Sequence, residues 1–336
     1  MKAIKFFAIT AMAAAMITSC SSEDELSQSN YPSDNIIRIT AGVNNAKTRA
    51  EGAGVTQLEN PLSLTVVNKN DNAEMAKKYT YVNKVFSKDD NGVWDCKETL
   101  LWQKDTQPVD IVAFAPAVNK ETFKDVYNEK FQQFTYSIAA NQSTSSDNND
   151  LLYNYTPDFV PGGTNLDKDG KLSIQMNHAF CMIDINVTLG TEFNVSGVPT
   201  ASPITEVTLG GTIIDATVDV TSATNKITAS TTAAAKDITA TKGDFDTPAD
   251  NDKEKSCISH FSCITVPQNV AAKTFKVSLK TAGKLYEWTS AEPVELKSGY
   301  RYTLKLSMGN DVVLLKGDKI TASPWTEGTG GTLETD

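Results

Sequence analysis

The chain has 336 residues, with 31 Lys and Arg against 41 Asp and Glu, a net charge of −10 and a pI near 4.9. That balance excludes nucleic-acid binding, because it supplies no basic patch to neutralise phosphates. Charged residues at 21%, aromatics at 8% and hydrophobics at 40% make an ordinary globular balance, and Thr- and Val-rich alternating runs predict mostly β structure.

Lys2 and Lys5 form a basic start, and Phe6 to Ile17 is an apolar run of 12 residues. A bilayer span needs about 20 residues, so this run reads as an export signal over residues 1–19. Ser19 precedes Cys20, and Ile17-Thr18-Ser19-Cys20 has the form of a lipobox, which implies cleavage before Cys20 and acylation of its thiol. Residues 20–35 follow as a lipidated Cys and tether. The acidic run Ser21-Ser22-Glu23-Asp24-Glu25 reads either as a solvated segment or as a surface-export signal. Fully extended, the 15 residues Ser21 to Asn35 reach at most about 50 Å.

Residues 36–49 read as a strand followed by a cut site. Ile37, Ile39, Ala41 and Val43 alternate and share one side, as a strand filling a core groove must. Their burial is worth about 5–8 kcal/mol gross, an upper bound. Arg49-Ala50 lies just past that strand, inside the polar run Asn44 to Gly54, where nicking concentrates. Lys47 is close by, so trypsin-like cleavage would not be unique to Arg49.

Beyond Pro61 the chain predicts strand after strand, with turn chemistry between them. Strands are expected at Leu62 to Val67, Tyr79 to Phe86, Val93-Trp94, Leu100 to Trp102 and Val109 to Phe114, with one helical turn at 73–78. A polar loop from Asn141 to Asp150 precedes Leu151-Leu152-Tyr153. Pro161-Gly162-Gly163 and Asn165 to Gly170 suggest a domain boundary, giving an N-terminal domain 50–168 and a C-terminal domain 169–336. Strands then follow at Lys171 to Met176, Phe180 to Leu189, Ile204 to Leu209 and Ile213 to Val220. A Thr/Ala-rich stretch, Thr221 to Lys242, reads as exposed strands or loop. The last strands are Ile258 to Val266, Phe275 to Leu279, Lys284 to Trp288, Tyr300 to Met308, Val312 to Leu315 and Lys319 to Trp325. A dozen short strands at this spacing predict an all-β chain of two β-sandwich domains.

Four cysteines remain after Cys20. Cys257 and Cys263 share a strand face about 20 Å apart, too far to bond each other, and Cys181 in an apolar strand reads as a buried free thiol. Asn165-x-Asp167-x-Asp169-Gly170 mimics half an EF-hand loop, but Met176 holds the place of the bidentate carboxylate, so a hairpin turn is expected. Cys257-x-x-His260-x-x-Cys263 has metal-like spacing without a fourth ligand. The chain carries no nucleophile elbow, phosphate loop or paired-carboxylate motif. A non-enzymatic protein without metal or cofactor is expected.

The lipobox at Cys20, Ile36-Ile37-Arg38-Ile39 leading to Thr48-Arg49-Ala50, Val109 to Phe114 and Asp150-Leu151-Leu152-Tyr153 recur in one order. They continue through Asn177-His178-Ala179-Phe180, Val266-Pro267-Gln268, Tyr300-Arg301-Tyr302-Thr303-Leu304 and Pro324-Trp325. Together they resemble the fimbrillin family, the pilins of type V pili, in its fimbrillin-like lipoprotein branch. That resemblance implies two transthyretin-like, Greek-key β-sandwich domains, outer-membrane and cell-surface localisation in a fimbrium, and export through the periplasm as a lipoprotein. It also implies an arginine-specific protease that removes the N-terminal strand, and other pilus subunits as partners, one of which donates a strand to the vacated groove. The donor would come from the C-terminal strands: Val312, Val313, Leu314, Leu315, Ile320 and Trp325. Thr326 to Asp336 is Gly/Thr-rich and makes a poor donor. The other reading is that both late strands complete their own domain, which leaves stalk and tip open. The alternative is a monomeric anchored lipoprotein that binds a glycan or host protein, with Trp94, Trp102 and Trp288 as a sugar platform.

Overall fold

A computed structural model describes residues 29–43, 58, 60–118, 132–144, 150–224, 226–317 and 320–325. The strands run β1 (Arg38–Val43), β2 (Leu62–Asn68), β3 (Tyr81–Lys88), β4 (Trp94–Cys96), β5 (Val109–Ala115), β6 (Gln133–Ser137), β7 (Leu152–Phe159) and β8 (Lys171–His178). Then come β9 (Cys181–Leu189), β10 (Ile204–Thr212), β11 (Asp215–Asp219), β12 (Ile227–Ala229), β13 (Lys236–Thr239), β14 (Thr241–Asp246) and β15 (Ile258–Thr265). The series closes with β16 (Gln268–Val270), β17 (Lys276–Thr281), β18 (Leu285–Thr289), β19 (Val294–Leu296), β20 (Tyr300–Met308), β21 (Val313–Leu315) and β22 (Thr321–Pro324). The short helix α1 (Ala73–Lys78) forms where the 73–78 turn is expected. Asn72 caps it by accepting the Met75 N–H, and Glu74 and Lys77-Lys78 sit at the ends its dipole favours.

Strand character follows burial. β2 is buried at every position, as a central strand covered on both faces must be, and its sequence is almost unbroken apolar and β-branched residues plus small polar ones. β9 alternates strictly, with Cys181, Ile183, Ile185, Val187 and Leu189 inward. The predicted all-β class is what the chain adopts.

Seven strands form one sheet in the order β1-β8-β7-β5-β2-β3-β4. The sheet curls until its two ends approach, and Ile36 bridges Leu101 across the gap. Inside lies a core of Ile37, Ile39, Leu62, Leu64, Phe86, Trp94, Trp102, Ile111 and Ile174 with their neighbours. A second, larger core lies between the sheets β14-β15-β9-β20-β21 and β13-β10-β17-β18 and includes Phe180, Ile185, Leu209, Phe261, Phe275 and Leu304.

The partition of the chain differs from a boundary at 168/169. β8 lies beyond that point in sequence yet bonds β1 and β7 in the first sheet, whereas β6 lies before it and pairs with β11. The Gly/Asn/Asp-rich run before β8 is a hairpin turn: Asp167 Oδ1 accepts the N–H groups of Asp169 and Lys171, and Gly170 has φ 71°. Leu100 to Trp102, expected as a strand, makes a single bridge instead.

Candidate functional site

The N-terminal strand and its seat are where chain, core and exposed sheet edge meet. β1 pairs with β8 in parallel from Arg38–Lys171 to Val43–Met176. Ile37 and Ile39 are each 3% exposed and Val43 is 8% exposed, while Ala41 is half-buried against the same core. The four residues therefore share the inward side that their alternation requires.

The strand is held differently along its length. At its N-terminal end the chain is held by the Leu100–Trp102 segment: the Ile37 N–H donates to Leu100 O at 2.8 Å, and the Trp102 N–H donates to Asn35 O at 2.8 Å. From Arg38 to Val43 the ladder runs to β8 on one edge, and no pairing is seen on the other edge among the described residues. A cleft of about 320 Å³ lies beside the first part of the strand, lined by Ile36 to Ile39 together with Phe86, Trp94, Cys96 and Glu98 among others.

Ser29 to Asn35, expected as free tether, is instead docked on the body. The Asn30 N–H donates to Gly163 O at 2.9 Å, and its side-chain amide donates to Leu166 O at 3.0 Å. Gly170 permits this approach, since a Cβ there would sit 3.0 Å from Asn30 O. Tyr31 packs against the first core, and its phenol is pushed up to about 12, chiefly by burial and then by nearby Asp105. Asp34 is drawn down to about 2 by its paired hydrogen bonds from Arg38 and one from the Ile36 N–H.

The C-terminal residues occupy a different place. β21 and β22 lie end to end along β20, antiparallel to it, pairing Val313–Met308 to Leu315–Leu306 and Thr321–Thr303 to Pro324–Tyr300. Val313 is buried and Leu315 and Ile320 are half-buried, but Val312 and Leu314 are 50% and 58% exposed. Trp325 is buried and stacks on His178 at 3.7 Å between ring centres, with the planes 10° apart, and its N–H donates to Gly299 O. His178 Nδ1 lies 2.5 Å from Asp150 Oδ2. These six residues lie in and around β21 and β22 at the edge of their own sheet, and Trp325 reaches from there to the last residue of β8. Cys20, Arg49 and Ala50 lie outside the described residues.

Sequence reasoning missed three elements of this site: the Asn30 anchor, the Leu100–Trp102 rail and the His178–Trp325 stack. The rail had an apolar signature but no way to name its partner.

Other candidate groups find ordinary roles. His260 projects opposite to Cys257 and Cys263, binding Asn186 Oδ1 at 2.9 Å and Asp246 Oδ2 at 2.8 Å. Cys96, Cys181, Cys257 and Cys263 are free thiols. Burial raises the last three, Cys263 to about 12 and Cys181 well above the usual range. Trp94 and Trp102 are buried in the first core, and Trp288 packs against the second at an edge-to-face angle to Phe275. None of the three lies open as a sugar platform.

A family model described as fimbrillin-like matches residues 48–325. A search of curated proteins found no match. Among solved structures, the fold is similar to a protein from Bacteroides ovatus assigned provisionally to cell adhesion, with TM-score 0.59 and 16% identity, covering 86% of this chain and 97% of the other. A Bacteroides uniformis protein with the same provisional assignment gives TM-score 0.56 at 15% identity, covering 88% of this chain and 100% of that one. A fimbrial protein from Bacteroides vulgatus gives TM-score 0.51 at 13% identity, with coverages of 86% and 99%. At these identities the likeness is one of fold.

Proposed function

The chain belongs to the fimbrillin-like family, and from that premise we propose that it is a structural, adhesive pilus subunit at the cell surface rather than an enzyme. It is exported through the periplasm as a lipoprotein acylated at Cys20, and reaches the outer membrane. An arginine-specific protease cuts after Arg49, and a strand of another pilus subunit then takes the place of β1.

One observation carries this reading. β1 ends its sheet, pairs along one edge with β8, and still fills the first core with Ile39 and Val43, next to Ile37 just before it. A strand so placed can leave without unthreading the chain. Its loss exposes an apolar slot beside an unpaired backbone edge, which favours replacement by another strand. The donor role of Val312 to Trp325 rests on the position of β21 and β22 at the outer edge of their sheet, where β22 is exposed at all four of its positions.

The same region favours the second reading. β21 and β22 complete the edge of their own β20, and Trp325 is clasped there, as a monomeric anchored lipoprotein with a glycan or host protein as ligand would have it.

Limited digestion of the acyl-free protein with an arginine-specific protease separates the two. A single cut after Arg49, followed on long incubation by SDS-resistant oligomers, supports strand exchange. A cleanly cut chain that stays monomeric points to the anchored monomer. Cleavage elsewhere with Arg49 left intact removes the key step.

A further inference from the structure

We propose, resting on that reading, that cleavage does not itself empty the groove. The severed N-terminal segment stays seated as a noncovalent plug, and the body remains joined to the lipid at Cys20 through it until an incoming strand drives it out.

The contacts that hold the segment do not pass through the stretch that is cut. β1 keeps a six-residue parallel ladder to β8, and the segment keeps Ile37, Ile39 and Val43 in the core. Upstream, Asn35 and Ile37 are bonded to Trp102 and Leu100, and Asn30 is bonded to Gly163 and Leu166. Cleavage after Arg49 breaks none of these bonds. It changes only the connectivity, from one chain to a peptide bound by strand addition, with main-chain bonds for affinity and side-chain pockets for specificity.

The seat is also asymmetric. The Asn30–Ile37 end is bonded to Gly163 and Leu166 and to the Leu100–Trp102 segment, whereas from Arg38 to Val43 the ladder to β8 is the one pairing seen among the described residues. An incoming strand therefore starts at Val43 and displaces the plug towards Ile37. Strand exchange and release from the membrane become one event, and a cut subunit that meets no partner is not lost from the cell.

The test uses the full acyl-free chain with residues 47–53 replaced by the recognition sequence of a plant-virus protease, so that severing does not depend on Arg49. After complete cutting, native size-exclusion chromatography and mass spectrometry follow the N-terminal segment. It should co-elute with the body and separate only in denaturant. A segment that elutes alone as cutting proceeds overturns the proposal. An Ile39→Ser variant of the same chain should shed the segment; equal retention would show that the seat is not what holds it. The native chain, digested in parallel with the arginine-specific protease, scores the cut itself. If Arg49 resists while the engineered chain keeps its segment, the pilin reading fails and the plug stands.

Discussion

Trp325 and His178 show how much can rest on one pair of rings. Trp325 is the last described residue, and its stack on His178 holds the end of β22 to the end of β8. Trp325→Ala removes a buried aromatic, and the expected loss is about 3 kcal/mol by urea titration, accompanied by faster amide exchange along β22. An unchanged midpoint would mean the tail is only resting there. Gly170→Ala tests the N-terminal dock. At φ 71° and with Asn30 O close by, the change should cost about 1 kcal/mol and release Ser29 to Asn35 to proteolysis. Tyr136 supplies a pH dependence. Burial, with Asp150 nearby, raises its phenol to about 12. Between pH 10 and 12 the unfolded chain ionises this group while the folded chain keeps it protonated, so stability is intact below 10 and lost as pH rises through 12. Tyr136→Phe should remove about 1–2 kcal/mol of that alkaline loss. None of these partnerships is legible in sequence. Trp325 reads plainly as apolar, but nothing local names His178 as the ring it covers.

At the scale of elements, alternation carried most of the information. Ile37, Ile39, Ala41 and Val43 point inward because a period of two leaves a strand no other choice once one face is buried. β9 and β20 are legible for the same reason. β6 was not. Gln133 to Ser137 offers only Phe134 as a large buried side chain, and its pairing with β11 is set by packing across the molecule. The Thr/Ala-rich stretch proved to hold short strands, β12, β13 and the start of β14, whose exposed small residues leave little hydrophobic signal. For β1 the asymmetric seat makes a direct prediction. Amide exchange in the uncut protein should be faster at Gly42 and Val43 than at Ile37, whose N–H donates to Leu100 O. Ile39→Ala should cost about 2–4 kcal/mol and steepen that gradient. Uniform protection from Ile37 to Val43 would argue against displacement from the cut end.

Across the whole molecule, the two cores are not separable. β5 faces both: Ile111, Ala113 and Ala115 point into the first core, and Val112 and Phe114 point into the second, where Phe114 meets Phe134 of β6 edge to face at 4.9 Å. β6 crosses to the second body and β8 stays with the first, so the chain passes between the two more than once. Gly and Pro clusters mark turns, and the one before β8 marks a hairpin; punctuation alone cannot say whether the strands on either side share a sheet. The consequence is thermodynamic. Two independent sandwiches joined by a linker would melt in two steps, each sensitive to substitutions in its own core. With β5 common to both, loss of either core strips one face from the same strand, and the two should unfold together. Ile111→Val and Val112→Ala, on opposite faces of β5, should each lower one shared calorimetric transition, by about 1 kcal/mol for the first and somewhat more for the second. A fragment ending at 168 lacks β8, leaving β1 without its ladder and β6 without β11, and should not fold. Two resolved transitions, with the two substitutions acting on different ones, would restore the picture of separate domains. A single transition means that a strand seated in the first core is felt in the second, which is the mechanical continuity a subunit in a filament needs.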